Sequence, residues 1–137
     1  MTKQIWLNLP VKDVKRTKAF FAEIGFTFNE EQDTKTSACM LVGESDFVVM
    51  LFEETMFEGF VQNKLTDTQK SSEILISIDA QSTKEVDEMA TKVKIAGGNI
   101  FAEPKENQGW MYGFGFADLD GHRWNVLYMN LSKFPKL

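Results

Sequence analysis

Few side chains in this 137-residue chain could do chemistry unaided, and their spacing narrows the choice further. His122 is the single histidine, so no multi-histidine metal site can be built from it. The single cysteine, Cys39, sits between Ala38 and Met40 with no histidine near it in sequence, which describes a buried thiol rather than a nucleophile. Asp118 and Asp120 look like paired acids, but Asp118-Leu119-Asp120-Gly121 reads as a hairpin turn whose aspartates bond to local backbone. Glu73 heads the alternating run Glu73-Ile74-Leu75-Ile76-Ser77-Ile78. There it is either an exposed strand-edge carboxylate or, turned inward beside Trp6, a general base whose pKa desolvation raises. Trp6, Trp110 and Trp124, with Tyr112, Phe114 and Phe116, form a large aromatic set in which core packing competes with ligand contact.

The elements that must position these residues follow from hydrophobic period. Ile5, Leu7 and Leu9 alternate with Trp6 and Asn8, and Pro10 closes the run, so a strand with two differently used faces is expected. Asp13 can cap a helix with Val14, Phe20, Phe21 and Ile24 on one side and Gly25 at its end. Three strands then fit Phe26 to Glu30, Thr36 to Val42 and Phe47 to Phe52. After a polar linker from about Gln62 to Ser71, with room for a short helix before it, the order begins again. Glu73 to Ile78 alternates, Ser82 and Glu85 have capping-box spacing, and Gly97-Gly98 ends a helix carrying Val86, Met89, Ala90 and Val93. Strands over Asn99 to Lys105, Met111 to Ala117 and Arg123 to Met129 complete the second half.

Leu7 and Leu9 recur as Ile74 and Ile76, 67 positions later, and Gly25 recurs as Gly98, 73 later. The expected fold is therefore α+β: two βαβββ modules, about 1–62 and 71–132, in one domain spanning 1–137. They should form a cupped mixed β-sheet with the helices on its outer face. A net charge of −5 argues against a nucleic-acid partner, whose phosphates need clustered Lys and Arg. No apolar run reaches the roughly 20 residues that span a bilayer, so no membrane partner is expected. Without an export signal or a disulfide pair, a cytoplasmic location is expected.

The run Asn8-Leu9-Pro10-Val11-Lys12-Asp13 leading into Phe20-Phe21 and Gly25-Phe26 resembles the vicinal-oxygen-chelate superfamily, the glyoxalase, bleomycin-resistance and dioxygenase proteins. So does Phe116-Ala117-Asp118-Leu119-Asp120-Gly121-His122-Arg123-Trp124-Asn125. The resemblance covers nearly the whole chain, and within the superfamily it points to the small bacterial glyoxalase-like proteins. It implies four metal-ligand positions on the inner strand faces, and these fall on Trp6, Met50, Glu73 and Asn125. An indole cannot ligate, a thioether suits copper(I), and an amide oxygen is weak, which leaves Glu73 alone. One good ligand does not hold a divalent ion, so no metal and no other cofactor is expected.

Two functions remain open. The leading one is a small-molecule binding protein or metal-independent enzyme whose cup is lined by Trp6, Met50, Trp110 and Tyr112. Asn8, Glu73 and Asn125 would orient an apolar or aromatic ligand, with Glu73 the candidate catalytic base. The resemblance to bleomycin-resistance proteins makes drug or toxic-metabolite sequestration a concrete form of this reading. The alternative is a metal-dependent lyase or dioxygenase of the glyoxalase I or extradiol type. The superfamily also implies a homodimer.

Overall fold

The first alternating run forms strand β1 (Leu7–Val11), with Leu9 and Val11 buried and Asn8 exposed. Pro10 lies inside this strand rather than closing it. The sequence expectation fails because β1 is an edge strand, paired only with β4 (Phe47–Glu53), and an edge tolerates a residue without an N–H. Helix α1 (Val14–Glu23) starts where Asp13 accepts the Arg16 N–H at 3.1 Å. It ends in a Schellman arrangement, Phe26 N to Phe21 O at 2.9 Å and Gly25 N to Ala22 O at 3.1 Å. Strand β2 shrinks to Thr27–Phe28, because a 3-10 turn takes up Glu30–Gln32. Strand β3 (Ser37–Val42) joins β4 through a tight hairpin, and the short helix anticipated before the linker is α2 (Glu54–Val61).

The computed structural model describes residues 1–135, so the expected domain range of 1–137 ends on two residues outside it. The chain divides into two compact units, Met1–Asp67 and a second that begins at Thr68. The second holds β5 (Leu75–Asp79), α3 (Thr83–Ala96), β6 (Asn99–Asn107), β7 (Met111–Ala117) and β8 (Arg123–Met129). Each unit closes its own four-stranded mixed sheet, one for each of the two expected βαβββ modules. The orders correspond: β1-β4-β3-β2 and β5-β8-β7-β6, with β1 parallel to β4 and β5 parallel to β8.

Each sheet packs one face on its helix. In the first unit Phe20 and Phe21 of α1 and its C-cap residue Ile24 meet the face built from Leu9, Val11, Val49, Leu51, Ala38 and Met40, all buried. In the second, Val86, Ala90 and Val93 of α3 meet Phe114, Phe116, Trp124 and Val126. Each fully buried side chain of this size contributes about 1.5–3 kcal/mol. Ser82 accepts the Glu85 N–H at 3.1 Å, while Glu85 reaches back to the Gln81 N–H at 3.0 Å, one residue before the usual capping-box partner.

The two N-caps, Asp13 and Ser82, stand 69 positions apart, which corrects the repeat offset of 67. On this frame Leu7, Leu9 and Val11 match Ile76, Ile78 and Ala80. The cross-strand pair Asn8 with Met50 then matches Ser77 with Asn125. Trp6 therefore corresponds to Leu75, not to Glu73.

Candidate functional site

The face of each sheet turned away from its helix carries the residues of interest. In the first unit, alternation places Asn8 opposite Met50, and Met50 opposite Cys39, on that face. Trp6 immediately precedes β1 and is 54% exposed. Two of the sequence-derived site residues, Asn8 and Met50, thus share one face of one unit, with Trp6 at its end. Cys39 belongs to the same face but is fully buried, and burial pushes its thiol pKa up, with the Asp33 charge adding to the effect. A protonated, covered thiol is a packing residue.

In the second unit Asn125 lies on the helix-free face of β8, opposite Ser77 and Gly115. It is joined there by two residues that sequence reasoning missed, Phe101 and Arg123. Strand β6 shifts register between Ile100, opposite Phe116, and Ala102, opposite Gly115, so Phe101 is the extra residue of a β-bulge. Its ring lies on Gly115, where a Cβ would come within 2.6 Å of ring atoms Cε1 and Cζ and 3.4 Å of Asn125 Oδ1. Leu127 covers Gly113 in the same way, with its Cδ2 at 2.6 Å from the Cβ position. The Arg123 guanidinium sits over the Phe101 ring, 4.4 Å from its centroid. Such a contact is worth about 0.5–1 kcal/mol when exposed and more when desolvated. The available signal was the alternation Gly113-Phe114-Gly115-Phe116, in which aromatics face the helix and glycines mark close approach on the other side.

The remaining sequence-derived residues lie elsewhere. Glu73 is exposed and precedes β5 by two residues. Tyr112 occupies the helix face, where its hydroxyl donates to Asp87 of α3 at 2.7 Å. That bond raises the Tyr112 pKa, because it favours the protonated phenol. Trp110 lies in the turn between β6 and β7 with its ring edge-on to Phe134 at 4.6 Å. Its buried Nε1 has no hydrogen-bond partner among the described residues. Trp124 is fully buried on the helix side, and its Nε1 donates to Asp118 Oδ2 at 3.1 Å. Asp118 also accepts the N–H groups of Asp120 at 2.9 Å and His122 at 3.0 Å, so it is the clamp of the last hairpin.

The donor set does not fit a divalent metal. Trp6 and Met50 of the first module correspond to Leu75 and Asn125 of the second in the frame set by the N-caps, and the four offer one amide oxygen and one thioether. Among the described residues no three His, Cys, Asp or Glu side chains gather closely enough to hold an ion.

The comparisons agree with this architecture. A family model described as bleomycin resistance protein-like N-terminal matches residues 3–43. Among solved structures, the protein SA1046 from S. aureus is 34% identical, with 93% of this chain and 95% of that one covered at a TM-score of 0.85. A glyoxalase/bleomycin resistance protein/dioxygenase family enzyme from Burkholderia phytofirmans PsJN is 16% identical, with coverage of 90% and 96% and a TM-score of 0.79. The fosfomycin resistance protein FosX from Listeria monocytogenes is 20% identical, with coverage of 96% and 97% and a TM-score of 0.70. No curated protein matches the sequence. The N-terminal part of the chain thus matches a bleomycin resistance protein-like family model, and the chain as a whole shares the fold of glyoxalase, bleomycin-resistance and dioxygenase proteins.

Proposed function

We propose that this protein binds a small apolar or aromatic molecule without a metal, on the helix-free faces of its sheets. The observation that carries the reading is the cluster of Phe101, Arg123 and Asn125 over Gly115, a half-exposed aromatic platform with an amide and a guanidinium at its margin. Trp6, Asn8 and Met50 supply a second platform of the same kind. Apolar walls with a few placed polar groups are the usual make-up of a small-molecule site. Sequestration of a drug or toxic metabolite needs no more than this. Glu73 serves as base only if bound ligand covers it, and Trp110 and Tyr112 contribute support rather than contact. The protein acts as a homodimer, because four-stranded sheets with exposed apolar faces need covering.

The reading is tested by screening aromatic molecules by thermal shift and tryptophan fluorescence, then titrating each hit against Trp6→Ala and Asn125→Ala. Both variants should bind several-fold more weakly while remaining folded. Unchanged affinity in both would overturn the assignment. So would one equivalent of Zn, Ni, Mn or Fe that survives dialysis and is needed for binding.

A further inference from the structure

We infer that the face carrying Arg123 selects an anionic ligand: an aromatic or apolar molecule bearing a carboxylate or comparable oxyanion. The inference rests on the reading above and narrows its ligand class. The chain has 20 acidic residues against 15 basic ones, so an arginine without an acidic partner is not expected by default. Yet among the described residues no carboxylate lies within salt-bridge distance of Arg123. Its rung neighbours are Leu75 on β5 and Ala117 on β7, neither of them charged. The acid on the same face of β5 is Asp79, which is opposite Leu127 and accepts from Gln81 Nε2 at 3.1 Å, and Glu73, two residues before Leu75, forms no ion pair with Arg123.

The Arg123 guanidinium carbon lies 4.4 Å from the Phe101 ring centroid, and no carboxylate pairs with its planar N–H fork among the described residues. A carboxylate or phosphate meets such a fork with two parallel hydrogen bonds. Asn125, two residues further along the same strand face, adds amide N–H donors beside it. The Phe101 ring is 38% exposed and Leu75 is 54% exposed, so an apolar body attached to the anion has surface to lie on. A cationic ligand would meet Arg123 at this place and be repelled.

Three probes sharing one ring system separate the terms: naphthoate, naphthamide and naphthylmethylammonium, titrated into the full-length protein by calorimetry. Naphthoate should bind roughly tenfold more tightly than naphthamide, with the ammonium weakest, since a charge-assisted pair outweighs a neutral one. Arg123→Gln should remove the carboxylate preference, bringing naphthoate and naphthamide to within about twofold of each other. Asn125→Asp, which places a negative charge on the same face, should weaken naphthoate while sparing the ammonium probe, and it guards against a folding defect in the arginine variant. If naphthamide matches naphthoate, or if the preference survives Arg123→Gln in a folded protein, the inference is overturned. The binding function then still stands on the neutral probe. If no probe binds and the wider aromatic screen is also empty, both readings fall together.

Discussion

The ring of Phe101 on β6 rests against Gly115 of the neighbouring strand β7, where there is no Cβ to meet it. A Cβ at Gly115 would stand 2.6 Å from two ring carbons, far inside van der Waals contact. Gly115→Ala should therefore expel the ring, at a cost of about 1–3 kcal/mol for overpacking. The double variant Gly115→Ala with Phe101→Ala should recover part of that loss, because the clash has no second party. Urea denaturation of the four proteins in this cycle measures the coupling, and strict additivity would contradict the contact.

Trp6 and Trp124 should behave as opposites. Trp124→Ala removes a fully buried indole and should cost about 3–5 kcal/mol. Trp124→Phe keeps most of the volume but takes the donor from Asp118 Oδ2, which should cost about 1–3 kcal/mol. Trp6→Ala, at a half-exposed position, should leave stability within about 0.5 kcal/mol. Equal melting temperatures for Trp6→Ala and Trp124→Ala would contradict the placement of one of them.

Tyr112 provides a pH test with a defined sign. Its folded pKa is raised by the bond to Asp87, so the protonated phenol is favoured in the folded state. The stabilisation is complete below the ordinary tyrosine value of about 10 and is lost as pH rises through the folded value. Tyrosinate absorbance should therefore include a Tyr112 component that rises above the ordinary tyrosine range. Asp87→Asn should bring that component down. A wild-type curve identical to the Asp87→Asn curve would remove the bond from the account.

Cys39 should be inert to thiol reagents in the folded protein. The side chain is covered and its thiol is held protonated by burial. Modification should proceed only as fast as the protein opens, and should reach completion in denaturant. Rapid reaction under native conditions would show that β3 is not packed as described.

The parts of the fold legible in the sequence were those fixed by local chemistry. Asp13, Ser82 and the Asp118 hairpin act through hydrogen bonds spanning a few residues, and each was found where its pattern put it. The offset between the modules was not legible from alternation, because a period of two allows 67 and 69 equally, and only the cap positions separate them. That ambiguity placed Glu73 where Leu75 stands. Tyr112 shares its strand with Gly113 and Gly115, and its facing follows from which set is aromatic; counting aromatic residues without that parity assigned it to the ligand. Phe101 was hidden for another reason: its contact is with Gly115 of the next strand, and the pairing register that brings them together, shifted between Ile100 and Ala102, is not written in Asn99-Ile100-Phe101-Ala102.

The parallel ladders also bear on how the chain acquires its structure. The β3 and β4 hairpin joins residues as near as Val42 and Phe47, whereas Leu7 must wait for Val49, made only after α1, β2 and β3. Closing a long loop is slow because its entropy is lost before the contact forms. During synthesis, then, β1 should be the last strand of its sheet to dock, and β5, which waits for β8 in the same manner, should be the last of the second. A ribosome-bound chain halted before β4 emerges would carry α1 with an unfinished sheet beneath it, the interval in which a chaperone would have most to protect.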